Sequence, residues 1–264
     1  MSTRRLTLVQ LAAVALSGLP AWAVAAQQQS LVDPFRLAVD DAIADSGLAS
    51  HLQRAFGRET GIAIEVLRGP ASTVLGALER GEHDAAITNA PAVELPLEKE
   101  GLVHDRQRVA RSDFVLVGPS MLAKPLAAGQ DVVVGLARLA QAQALFLSRH
   151  DGSGTHLAEQ AAWRAAQVAP AAPWYLEADA GSPLLAQARR QKACVLVEHG
   201  VWAAEPPSRD YGLLAGGDPR LAVEVHIMRT FRAPRQHPVG RLFTTWLTGP
   251  KGRAVVAAHK GYAA

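Results

Sequence analysis

The chain has 264 residues, 49% apolar and 19% charged, enough for one large or two medium folded domains. Its 27 basic and 24 acidic residues leave a formal net charge of +3. Setting aside residues 1–26, with Arg4 and Arg5 and no acid, lowers it to +1, so the balance gives no reason to invoke nucleic acid or an anionic membrane surface. Cys194 is the single cysteine, which excludes an internal disulfide and a cysteine metal cluster; within Lys192-Ala193-Cys194-Val195-Leu196-Val197 it reads as a buried strand residue.

The amino terminus reads as a processing segment. Arg4 and Arg5 form a positive start, Leu6 to Leu19 is apolar but too short to span a bilayer, and Ala23-Val24-Ala25-Ala26 offers small residues for cleavage. Residues 1–26 are therefore expected to be a secretory signal peptide, which places the mature chain in the periplasm.

Phe35 to Val39 predicts a first strand, and Asp40 to Gly47 the loop after it. Apolar residues at Leu48, Leu52, Ala55 and Phe56 predict a helix from Leu48 to Thr60, ended by Gly61. Ile62 to Leu67 is a second strand, Arg68 to Thr73 a turn, and the following stretch to Arg80 a helix closed by Gly81. Asp84 to Thr88 is a third strand. Strands alternating with helices imply right-handed crossovers and a parallel sheet. Pro91 to Glu100 predicts a charged helix, Phe114 to Val117 an apolar strand, Leu122 to Gln130 a loop and Val132 to Ala144 a helix. Beyond residue 144 the expected elements are a strand to Leu147, a helix to about Gln167, a linker at Pro170 to Pro173 and a strand at Trp174 to Glu177. Then come a helix at Leu184 to Gln191, strands at Ala193 to Val197 and Leu221 to Met228, and helices at Pro238 to Thr248 and Pro250 to Ala258.

The stretch Ser148-Arg149-His150-Asp151-Gly152-Ser153-Gly154-Thr155-His156 joins an apolar run to an alanine-rich helix former, so it is a strand-to-helix turn. Ser153 or Thr155 can cap the helix. The first amides of a helix lack intrahelical partners and its dipole is positive there, so such a turn can hold an anion, to which Arg149 adds a planar, bidentate donor. The plainer reading is a capped helix with Arg149 in solvent.

This motif resembles the central motif of the type II periplasmic solute-binding proteins, and within them of the tungstate-binding family. Ser112-Asp113-Phe114-Val115-Leu116-Val117-Gly118-Pro119 is similar to that family's crossover strand. Asp45-Ser46-Gly47-Leu48 with Thr60-Gly61-Ile62, Trp174-Tyr175-Leu176-Glu177 and Trp246-Leu247-Thr248-Gly249-Pro250-Lys251-Gly252 fit it as well. The resemblance implies an α/β chain of two lobes joined by two hinge strands. Residues 31–113 and 222–264 would form one lobe and 114–221 the other, with a small anion in the cleft, no cofactor, a monomeric state and an inner-membrane ABC permease as partner. Arg149 and the amides around Ser153, Gly154 and Thr155 would hold the anion. Asp151 would position Arg149 or tie down the turn, and Ser46, Ser72 and Thr73 are candidates from the other lobe.

The departures are informative. Where the family has a loop rich in threonine and serine, this chain has Val39-Asp40-Asp41-Ala42-Ile43. Asn89-Ala90-Pro91 and Glu198-His199-Gly200 also replace family patterns. Two unit charges about 4 Å apart interact by about 4 kcal/mol at an effective dielectric near 20, whereas a helix end contributes roughly 0.3–2 kcal/mol. Asp40 and Asp41 therefore cannot both point, ionised, at a bound dianion. They turn away, or one accepts a proton from the ligand, or the ligand is phosphate or an organic anion or an amine, or the pocket serves a sensor on the same scaffold. His150 and His156 with nearby aspartates could hold a divalent metal, and Glu198-His199 could serve a hydrolase, but neither spacing is a signature of that chemistry.

Overall fold

The computed structural model describes residues 34–126, 131–179, 182–231 and 237–264. The expected signal peptide lies outside the described residues.

The chain opens with strand β1 (Phe35–Asp40), helix α1 (Asp41–Asp45), α2 (Leu48–Thr60), β2 (Ile64–Gly69), α3 (Ala71–Glu79), β3 (Ala85–Thr88) and α4 (Pro91–Lys99). Strand β4 (Val103–Pro119) is seventeen residues long. After α5 (Ala123–Leu126) and α6 (Val132–Gln141) come β5 (Phe146–Ser148), α7 (Gly154–Ala165), β6 (Tyr175–Glu177), α8 (Leu184–Gln191), β7 (Val195–Glu198), α9 (His199–Ala204) and β8 (Tyr211–Ala215). The chain finishes with β9 (Ala222–Thr230), α10 (Pro238–Thr248) and α11 (Pro250–Ala257).

Helix α9 and strand β8 are not expected from the sequence, and three expected segments are corrected. The expected loop at Asp40 to Gly47 contains α1, because Asp40 caps it: its Oδ1 accepts from the Ala42 amide at 2.9 Å. The expected loop at Leu122 to Gln130 begins with α5. The expected strand at Phe114 to Val117 is only the distal part of β4, whose first half is polar because it has an exposed face.

One half of the structure orders its strands β2-β1-β3-β9-β4, with β1 parallel to β2 and β3 and with β9 antiparallel to β3 and β4. The other half repeats the pattern. Strand β5 is parallel to β6 and bridges Cys194 at the foot of β7, while β4 runs antiparallel to β7 and β8. This is the two-lobed α/β arrangement of the type II periplasmic binding proteins. Strand β4 belongs to both lobes: residues 103–113 pair with β9, and residues 114–119 with β7 and β8.

Each lobe has its own apolar interior. In the first, Leu48, Leu52 and Phe56 of α2 pack with Phe35, Ile87, Ile227 and Phe243, and Phe56 meets Phe243 edge-on at 5.1 Å between ring centres. The helical spacing of the α2 residues is the cause: it places them on one face. In the second, Phe114, Leu116, Leu136, Leu139, Phe146, Trp163 and Trp174 cluster. Parallel strands place their carboxyl ends, and the helix starts that follow, at the cleft between the lobes.

Candidate functional site

Asp40, the last residue of β1, is fully buried. While Oδ1 caps α1, Oδ2 accepts from the Gly154 amide at the start of α7, 3.4 Å away in the other lobe. Burial pushes its carboxyl up to about 6, against the two backbone hydrogen bonds and the charge of Arg149.

The stretch 148–156 forms the expected strand-to-helix turn. Ser153 is the N-cap of α7, its Oγ accepting from the His156 amide at 3.3 Å, and Asp151 Oδ1 accepts from the Ser153 amide at 2.9 Å. The Gly152 amide donates to His156 Nδ1 at 3.0 Å. Ser153 is thus occupied as a cap, and Thr155 is buried in the first turn of the helix.

Arg149 lies between the lobes, its side chain 14% exposed, and three carboxylates surround it. Nε donates to Asp151 Oδ2 at 2.6 Å within its own lobe, while its terminal nitrogens stand 3.2 Å from Asp41 Oδ2 and 3.7 Å from Asp45 Oδ2 across the cleft. Arg68 donates to the remaining oxygens of those two aspartates at 2.8 and 2.6 Å. The result is an ionic chain, Asp151 to Arg149 to Asp41 and Asp45 to Arg68, stitching one lobe to the other. Burial opposes the charge of Arg149, but Asp151, Asp40 and Asp41 outweigh it and raise its pKa.

The candidates from the first lobe separate. Ser72 faces the turn, since a Cβ on Gly152 would come within 2.8 Å of its Oγ. Thr73 is exposed on the first turn of α3. Ser46 is buried and engaged: it donates to the Ile43 carbonyl at 2.9 Å and accepts from the Tyr262 hydroxyl at 2.9 Å.

Two residues at strand ends, noted in the sequence as departures from the family pattern and not expected to touch the anion, meet in the middle. Asn89 follows β3 and Glu198 ends β7; both are buried, and Asn89 Nδ2 donates to Glu198 Oε2 at 3.0 Å across the cleft. Burial pushes Glu198 up to about 8, helped by the charge of Asp40 and opposed by Tyr262, Ser112 and Asn89. Glu198 therefore keeps its proton at neutral pH and can donate a hydrogen bond. Its Oε1 and Asn89 Oδ1 are buried and form no well-made hydrogen bond. The signal for both was a polar residue just past the apolar run of a short strand, Ala85-Ala86-Ile87 then Thr88 and Asn89, and Val195-Leu196-Val197 then Glu198.

The lobes touch here at glycines. A Cβ on Gly154 would lie 2.0 Å from Asn89 Oδ1, and one on Gly200 would lie 2.4 Å from the Tyr262 ring. Only a residue without a side chain fits such an approach.

The histidines take local roles. His156 Nε2 is 3.0 Å from Gln160 Nε2, and His199 Nδ1 is 2.8 Å from Asp113 Oδ1 where β4 passes between lobes. Among the described residues no group of three or more His, Cys, Asp or Glu side chains is arranged to hold a metal ion. Cys194 is buried, and burial pushes its thiol up to about 12.

Known proteins resemble this chain in sequence and fold. A crystal structure described as the tungstate ABC transporter from Geobacter sulfurreducens matches with a TM-score of 0.76 at 26% identity, covering 85% of this chain and 98% of that one. The tungstate-binding protein TupA of Peptoclostridium acidaminophilum is 25% identical over 231 residues, 84% of this chain and 80% of its own length. A putative ABC transporter anion-binding protein of Haloferax volcanii is 26% identical over 234 residues, 84% of this chain and 68% of its own. A family profile described as PBP superfamily domain matches residues 24–202, more than half of the chain, and the chain belongs to that superfamily.

Proposed function

We propose that the chain is the exported ligand-binding component of an ABC transporter, capturing a small anion between its lobes and presenting it to an inner-membrane permease. In this reading residues 31–113 and 222–264 move as one lobe and 114–221 as the other, and the mature protein works as a periplasmic monomer. The observation that carries it is the Asp40 carboxylate held by the first amide of α7. That position accommodates an anionic oxygen. The relatives named for tungstate or anion binding support the same class of ligand.

An incoming anion takes the place of Asp40 at the Gly154 amide and is met by the Thr155 hydroxyl and by Glu198, which as an acid donates to it. Arg149, Ser72 and the turn around Asp151 and Ser153 frame the entrance. The lobes part to admit the ligand and close on it again, because only the closed form lets both contact it. Asp40 is the competitor. At about 4 Å each of its charge pairings with the guest is repulsive by about 4 kcal/mol at an effective dielectric near 20. Binding is therefore favoured when Asp40 is protonated, below pH 6.

Calorimetric titration of tungstate, molybdate and sulfate tests this at pH 5 and pH 8. Sulfate is the most informative because its own charge is constant over that range. Tighter binding at pH 5, and a flattened pH dependence in Asp40→Ala, are the expected results. Absence of binding at both values by these three, and by formate and benzoate titrated beside them, rejects the reading.

A further inference from the structure

Beside the start of α7 lies a cavity of about 180 Å³ whose two sides differ chemically. One wall is apolar, built from Pro183, Leu184 and Leu185 at the start of α8, Val197 of β7 and Val201 of α9. Leu184, Leu185 and Val197 are buried. The rest of the lining carries Thr155, Arg149 and Glu198, with Ala42 and Asp45 from the first lobe and, beside Ala204, Glu205, which is paired with Arg189 at 3.1 Å. Glu198 is fully buried, and its Oε1 forms no well-made hydrogen bond.

A bare inorganic oxyanion has no use for the apolar wall. Every face of such an ion needs donors, and a charge placed against hydrocarbon loses its hydration without replacement. A wall of leucine, valine and proline recognises hydrocarbon instead. Cavities of about 150 Å³ with such walls take a guest the size of benzene. The charge of the surroundings limits the head group. Asp40, Asp41, Asp45 and Asp151 gather around Arg149 and Arg68, so acids outnumber the guanidinium groups, and a second negative charge on the guest doubles the repulsion.

We propose that the natural ligand is an organic monoanion, a carboxylate or sulfonate head on a small apolar body. The head sits at the Gly154 amide and Glu198, and the body fills the pocket of Leu184, Leu185, Val197 and Val201. This rests on the reading of the cleft as an anion site and narrows the guest it takes.

The experiment titrates the mature protein, in separate runs at pH 5, with formate, 3-methylbutanoate, benzoate, benzenesulfonate and sulfate, followed by calorimetry and by thermal shift. Benzoate or 3-methylbutanoate is expected to bind at least about tenfold more tightly than formate, since each buried methylene adds to affinity. In Leu185→Trp, and in Ala204→Phe at the exposed rim of the same cavity, that ratio is expected to fall to about one as the space is filled. The rim variant keeps the core intact, so the ratio remains measurable if the buried change prevents folding. Binding of sulfate or formate with no gain from the apolar bodies overturns the inference and leaves the anion site standing. A gain that survives in both folded variants overturns the placement of the body. Binding by none of the five removes the anion site and the inference together.

Discussion

The two lobes are wired alike and finished oppositely. In each, the first strand lies between the second and third, and an antiparallel strand follows the third. In each, a turn leads from the first strand into a helix aimed at the cleft. In the first lobe that turn is capped by an acid, Asp40, before a five-residue helix bearing Asp41 and Asp45. In the second it is capped by Ser153, before a twelve-residue helix flanked by Arg149. One topology therefore presents carboxylates on one side and amides with a guanidinium on the other. The pairing across the gap follows from the difference: Asp40 meets Gly154, while Asp41 and Asp45 meet Arg149.

The comparison is broken most severely by removing the guanidinium. Arg149→Met leaves Asp151 without its partner and Asp41 and Asp45 with Arg68 alone. A loss of about 3 kcal/mol in urea denaturation is expected, with a larger radius of gyration in solution scattering as the lobes part. Conversion of Asp151 to Asn in the same chain should recover part of that loss.

A single methyl group sharpens it. Gly154→Ala places a Cβ on Asn89 and is expected to cost about 1–3 kcal/mol. Gly76→Ala, inside α3 and away from the cleft, meets only the mobile end of Arg80 at 3.4 Å and should stabilise by about 0.5–1 kcal/mol. Opposite signs for one chemical change, read by thermal melting, would show that the lobe contact and not helix propensity decides.

Near pH 4 the smallest effect is expected from Glu198→Gln. The folded-state pKa of Glu198 is raised to about 8, so its stabilising proton is fully in place below the unfolded carboxyl range and is lost as pH rises through 8. The amide imitates the protonated acid. Wild type and variant should agree most closely near pH 4, and the variant's advantage should grow by about 1.4 kcal/mol for each pH unit between about pH 5 and pH 8 and level off above that. Comparison of the two chains at each pH cancels the opposing titration of His51, His83 and His156, which burial holds below the ordinary range.

The apolar elements were legible in the sequence because burial writes a period into it. Leu48, Leu52 and Phe56 declare α2, and the run Phe114 to Val117 declares the inner part of β4. The first half of β4 was not legible. Arg108 and Arg111 are exposed, Arg106 is largely covered and pairs with the buried Glu94, and the strand is fixed by pairing with residues more than a hundred positions away in β9. Strand β8 was missed because it is short and follows Pro206-Pro207, a composition that reads as coil. At the site, the turn around Arg149 showed its shape locally, but its partners did not. Asp41 and Asp45 precede it by about a hundred residues, and only the folded arrangement reveals that they neutralise it.

Strand β4 has a last consequence. It fills the edge of one sheet and the interior of the other with a single run of seventeen residues, about 55 Å of extended backbone. Neither half owns a finished ladder of its own. Fraying begun in one interior strips amide partners from the other, so a single transition is expected when heat or denaturant unfolds the two lobes, and two resolved transitions in calorimetry would show that the shared strand does not couple them.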